Sequence, residues 1–360
     1  MSNYNAKRET INYTLCFFQG IASILVIFLH VPLPGIVGVF VESLGRIAVP
    51  LFYMVSGYTL YNTVETPEYR AKVRSRLKKN LRVTIGALLL YFVVDVVKCI
   101  IQKESIGSFF LGLLSKESIL KFFIVGIISE GSGGVLWFMI GLVYVYLIRI
   151  VLPIKRRSVY RNALISFALM MILNVCKIYF TYNRTYIIGL DLSTYWLYGN
   201  WATIGITSVN IGLVMAKLVE DYSAKMPQLR RICIPIIIGS AVLNFAFYYA
   251  LKMKLDMYLS YTLFTLVIDG AIFLLSTCDN ISPKNIVARL GQYHSRNLYL
   301  YHCIFIFAAN FAITYLGNLE DFWVALVKPI SVILMTVVFS ICLNKAKMIF
   351  SEKANRGGIA

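Results

Sequence analysis

Residues 13–31 read YTLCFFQGIASILVIFLHV, nineteen positions without Asp, Glu, Lys or Arg, in which Gln19 and His30 stand out as polar. A helix needs about 20 mostly apolar residues to cross a bilayer, and this stretch meets that length. Nine further stretches do the same, at 45–63, 83–101, 134–152, 162–180, 200–218, 232–250, 258–277, 297–316 and 323–343. The whole chain is 59% hydrophobic and only 14% charged, where a soluble domain carries about a quarter charged residues. Those figures exclude a disordered chain, a fibrous one and an ordinary cytosolic enzyme. Strands of a membrane barrel, about 10 residues of alternating polarity, are not seen. The sequence therefore predicts an all-α integral membrane protein of about ten transmembrane helices, one membrane-embedded unit over residues 1–360.

Orientation follows from the distribution of Lys and Arg, because basic residues collect in cytoplasmic loops. With the N-terminus inside, 24 of the 35 basic residues fall in inner segments and 6 in outer ones. Seven of the inner ones lie between Arg70 and Arg82. Both termini are expected in the cytoplasm. Trp137, Trp196, Trp201 and Trp323 fall at expected outer boundaries, where indole rings anchor among headgroups. The net charge of +18 is thus mostly topological, with membrane lipids rather than nucleic acid as the partner. No cleavable signal peptide and no attached soluble module are expected. The seven cysteines are scattered, show no metal spacing and form no paired framework, so they read as free thiols and no metal is predicted.

Ionisable groups inside spans cost about 2.5–3.5 kcal/mol each to insert, so each asks for a reason. Gln19 and His30 are eleven positions apart, which returns to nearly the same helix face after roughly 16 Å. One stripe of the first span thus suits a polar path through half the membrane, although His30 also fits an interfacial histidine and Gln19 a packing hydrogen bond. His302 is placed in the inner half of the ninth span. Asp269 reads as one half of a structural ion pair, and Asp95 with Lys98 as counter-ions for Lys177, Arg149 or Lys328. The loop Glu130-Gly131-Ser132-Gly133-Gly134 reads as a flexible outer connection.

Four motifs then occur in order. They are Gln19-Gly20 followed by His30, and Arg46-Ile47-Ala48-Val49-Pro50-Leu51-Phe52-Tyr53-Met54-Val55-Ser56-Gly57-Tyr58. Leu136-Trp137-Phe138 follows, and then Leu290-Gly291-Gln292-Tyr293-His294-Ser295 with Leu298-Tyr299-Leu300-Tyr301-His302. Together they resemble the family 3 acyltransferases across the whole chain. That family is of multi-span enzymes that take an acyl group from cytoplasmic acyl-CoA and place it on envelope sugars. Two positions depart from its pattern: Gln19 stands where the family carries a basic residue, and Gly199 where it carries Arg before Asn200.

The resemblance implies a membrane O-acyltransferase with acetyl-CoA as donor co-substrate. Its acceptor is an envelope or capsular polysaccharide, or a lipid-linked sugar, and the setting a bacterial cell membrane. His30 is the catalytic residue it implies. Gln19, Arg46, Tyr53, Ser56, Tyr58 and Trp137 are the substrate-binding candidates, and Arg296 and His302 those for the donor end, with Arg8 a further cation near Gln19. A membrane binding or transport protein, and an acyltransferase relative that has lost catalysis, stand as the alternatives.

Overall fold

The computed structural model describes residues 11–128, 131–184, 186–187, 190–191, 195–257, 259, 261–278, 281–316 and 321–357. Apart from a two-residue ladder pairing Tyr186–Ile187 with Leu190–Asp191, the described chain is helical. Each of the ten expected stretches contains helix among its described residues. Eight helical segments are long and apolar enough to cross a membrane.

The first is α1 (Tyr13–His30), capped by Asn12, whose side chain accepts from the Leu15 amide at 2.8 Å. The second expected span proves to be two helices, α2 (Gly35–Gly45) and α3 (Ala48–Tyr61). Pro50 has no N–H to give the Arg46 carbonyl four residues back, and the chain turns at Arg46 and Ile47 before continuing. Then come α4 (Tyr69–Gln102), α5 (Ile106–Leu113), α6 (Lys116–Val125), α7 (Trp137–Val151) and α8 (Val159–Asn183). Short α9 (Tyr195–Tyr198) leads to α10 (Ile206–Asp221), and α11 (Met226–Leu255), α12 (Leu263–Cys278), α13 (Ile286–Leu316) and α14 (Asp321–Gly357) complete the bundle. Asn200 caps the turn ahead of α10 through a reciprocal pair with Thr203, its side chain accepting from the Ala202 amide at 2.9 Å. The residue after the Gly199 departure is thus a helix cap.

Burial separates an inner set of helices from a lipid-facing set. Ala22, Ser23 and Ile27 of α1 are fully enclosed. Leu89 and Val93 of α4, Leu164 and Ile172 of α8, Ile234 and Ile238 of α11, and Leu334 and Val338 of α14 are exposed apolar side chains. A water-soluble protein would not expose such a belt, and on α11 only one side, at Cys233, turns inward.

Two close crossings organise the inner set. In the first, α1 meets α13: a Cβ on Gly20 would lie 2.4 Å from the Val287 carbonyl oxygen, and one on Gly291 1.7 Å from that of Cys16. The two helices run parallel, since the rings of His30 and His302, further along each, lie 5.0 Å apart. In the second, α3 meets α10, where a Cβ on Gly57 would approach the Val209 carbonyl oxygen to 2.1 Å. Such small-residue contacts let backbones approach in a solvent as apolar as the side chains.

Replacing Gly291 by Val is expected to force α1 and α13 apart and to lower stability by about 1–3 kcal/mol. A lowered melting temperature in detergent checks this. Gly239→Ala, at a position with nothing within 4 Å, should leave the melting temperature unchanged or raise it, because Ala favours a helix over Gly by about 0.5–1 kcal/mol.

Candidate functional site

The α1–α13 register brings three residues from two helices together. His30 ends α1, while His302 and Cys303 follow one another on α13. One ligand atom from each of the three lies within 4.8 Å of the others. His302 is fully buried. Its Nδ1 faces the carbonyl oxygens of Leu298 at 3.1 Å and Tyr299 at 2.8 Å. Carbonyls only accept, so Nδ1 carries the proton and donates, and the lone pair sits on Nε2. That Nε2 has no hydrogen-bond partner among the described residues.

His30, by contrast, is exposed, and what it faces is a cavity of about 940 Å³. The walls include Arg46, Lys98, Trp137, Tyr299, Cys303 and Asn310. Arg46 projects from the α2–α3 turn. Its guanidinium is 3.2 Å from Glu42, which Lys252 also reaches at 3.0 Å, so one positive group is held beside His30 by a local charge network. Tyr299 donates its hydroxyl to the Val135 carbonyl and so fixes the start of α7 against α13.

The loop ahead of α7 forms part of this wall. Gly131, Ser132 and Gly134 line the cavity, and Ser132 donates both its amide (2.9 Å) and its hydroxyl (2.7 Å) to the Asp95 carboxylate. Asp95 is therefore no counter-ion for Lys177, Arg149 or Lys328, as its position in the sequence suggested. It accepts from a loop that carries no cation, because the loop's free donors reach it first. Nor is the connection a loose one at Gly131–Gly134; Glu130 lies outside the described residues. Asp269 also departs from expectation. It is fully buried, and neither carboxylate oxygen has a partner among the described residues, so the expected ion pair is not made among them.

A second, smaller cavity of about 200 Å³ lies towards the other end of the same helices. It is lined by Ser56 and Thr59 of α3, Arg76, Lys79 and Asn80 of α4, Met139 and Leu142 of α7, and Arg296 of α13. Arg76 also ties down the end of α3, donating to the Ser56 carbonyl at 3.1 Å and the Thr59 hydroxyl at 2.8 Å. Between the two sets of lining residues lies a layer of aromatic rings. Phe138 contacts Phe52 at 6.0 Å, Tyr53 at 4.6 Å and Tyr299 at 5.2 Å between centroids.

The sequence-predicted residues thus divide into groups. His30, Arg46 and Trp137 meet at the large cavity, while Ser56 and Arg296 meet at the small one. His302 belongs with His30 and not with Arg296: α13 is one continuous helix, and its register against α1 carries residue 302 up to the end of α1. Tyr53 is fully buried and donates to the Phe138 carbonyl at 3.2 Å. Tyr58 packs on Phe273 at 5.4 Å. Gln19 is partly buried, and these last three line neither cavity. Cys303, Lys98 and Ser132 were not foreseen as site residues.

A polar cavity with a histidine at its wall, inside a bundle of apolar helices, defines a multi-pass membrane protein equipped for chemistry on a bound group. A family model described as an acyltransferase domain, that of the acyltransferase 3 family, matches residues 12–345. The chain belongs to that family and is a membrane acyltransferase in the general sense. No curated protein and no solved structure matches it.

Replacing Asp95 by Ala removes a charged acceptor, and hydrogen bonds to charged groups contribute about 1.5–3 kcal/mol. Amide exchange at Ser132 should accelerate by about 10- to 100-fold, read by hydrogen–deuterium exchange in detergent or nanodiscs.

Proposed function

We propose that this protein moves an acetyl group from cytoplasmic acetyl-CoA to a hydroxyl of an extracytoplasmic or lipid-linked polysaccharide. In this reading ten spans cross the bilayer, with both termini in the cytoplasm of a bacterial cell. The large cavity then opens outward and the small one inward. The observation that carries the reading is the pairing of an acceptor-sized cavity at His30 with a cation-lined one on the opposite side of the aromatic layer. Arg76, Lys79 and Arg296 line the small cavity and suit the phosphates of the nucleotide donor. Arg296 keeps the donor-end role, and with Gln19 away from the small cavity these cations take the place of the family's basic residue in the first span. The acyl-bearing arm passes the rings of Phe52, Phe138 and Tyr299 to reach His30.

At the large cavity Arg46 and Trp137 hold the sugar. Neutral His30 accepts the proton of the acceptor hydroxyl as its oxygen attacks the thioester carbonyl carbon. The C–S bond breaks, and the proton is returned to the departing CoA thiolate. General-base assistance of this kind contributes typically about 10²–10⁴-fold. The aromatic layer separates the large cavity from the small one, which limits hydrolysis of a thioester held between them.

The test is release of free CoA from acetyl-CoA by the protein in native-like vesicles, with an envelope-glycan extract as acceptor. Release should require the acceptor and fall by about 10²–10⁴-fold in His30→Ala. Arg296→Ala should raise the KM for acetyl-CoA more than it lowers kcat. Full release by His30→Ala at equal protein level would remove the base assignment. Acetyl-CoA binding without release would favour a relative that has lost catalysis.

A further inference from the structure

The geometry points to a binding site for a thiophilic divalent ion, Zn²⁺, formed by His30, His302 and Cys303 at the wall of the large cavity. Three observations converge on it. The ligand atoms of the three residues lie within 4.8 Å of one another. In tetrahedral zinc sites, with Zn–N about 2.0–2.1 Å and Zn–S about 2.3 Å, neighbouring ligand atoms are about 3.5 Å apart. Second, the His302 tautomer is set by two backbone carbonyls, so its lone pair is on Nε2, the atom left buried without a partner. A carbonyl on the far nitrogen is the usual support of a metal-bound imidazole. Third, His30 and Cys303 both face the cavity, which provides an entry path and an open fourth position for water.

Ligand chemistry, rather than charge, selects the ion. Arg46 and Lys98 line the same cavity and oppose a dication, while the site supplies no carboxylate. Hard ions such as Mg²⁺ and Ca²⁺ prefer oxygen ligands and find none in the trio. Zn²⁺ takes the two imidazole lone pairs and replaces the proton of the Cys303 thiol: the S–H bond breaks, an S–Zn bond forms, and the proton leaves to cavity water. No electron is transferred.

One consequence rests on the proposed acyl transfer. An ion on His30 occupies the lone pair that would accept the hydroxyl proton, so zinc and catalysis exclude each other, and outer zinc inhibits the enzyme.

The experiment uses the full chain in nanodiscs, stripped with chelator and then titrated with Zn²⁺ or with Co²⁺ as the spectroscopic probe. The expected result is one Zn²⁺ per chain that excess Mg²⁺ does not displace, and a thiolate-to-cobalt charge-transfer band. Cys303→Ser should abolish the band. His302→Gln should weaken zinc binding at least as much as the roughly 10- to 100-fold that loss of a supporting partner costs. Wild-type CoA release should stop with zinc and return with chelator. Absence of stoichiometric zinc, or zinc and cobalt signals unchanged in both variants, overturns the site. Cys303→Ser exchanges one small atom and keeps the test sound should His302→Gln fail to fold. Stoichiometry and the cobalt band need no turnover, so failure of the acyltransferase reading leaves them interpretable.

Discussion

The contact on which the rest depends is the close parallel packing of α1 on α13. Neither Gly20 nor Gly291 can carry a side chain there, because backbone carbonyls of the facing helix occupy the space. In lipid no hydrophobic driving force pulls two apolar helices together, so van der Waals contact at such small residues has to do it. The contact also sets register. With Gly20 locked against Gly291, His30 has to end beside His302, and the cavity wall is assembled from the two helix ends.

Polar groups elsewhere in the bundle show how strict the apolar solvent is. Asp95 accepts from Ser132, Arg149 donates to Asn210, and Asn174 and Asn244 donate to the backbone carbonyls of Tyr261 and Ser43. These bonds hold neighbouring helices by satisfying groups that lipid cannot solvate. Against that background His302 Nε2 and the Asp269 carboxylate are among the buried atoms that find no partner among the described residues. The first lies next to a cavity and its ligand-bearing neighbours, which gives it a chemical reading. The second is enclosed on all sides, and the surrounding structure supplies no reason for it.

Much of this was legible in the amino-acid order. The apolar stretches located the helices, because hydropathy over about 20 residues is a local property. His30 and Trp137, singled out by their place in the sequence, both line the large cavity, and the four motifs pointed to the family that the 12–345 match establishes. The misreadings have physical causes. The apolar stretch that begins at 297 places His302 in the inner half of its span, whereas α13 starts earlier, at Ile286. Side-chain charge alone suggests a cationic partner for Asp95, but a loop amide and its hydroxyl hold the carboxylate instead. Tyr53 and Tyr58 were grouped with the site by motif, but their side chains point into packing around Phe138 and Phe273.

By itself the sequence determined that this chain lies in a membrane as a bundle of helices, since burial in lipid is decided segment by segment by transfer free energy. It also determined which residues had the chemistry to act. Only the tertiary structure decided which of them meet. No spacing rule links His30 to His302 and Cys303, because they lie near opposite ends of the chain and are joined by a helix-on-helix register that glycine contacts set. The same holds for the two cavities: each is built from four or more chain segments, and the space between helices is a property of how they pack, not of any one of them.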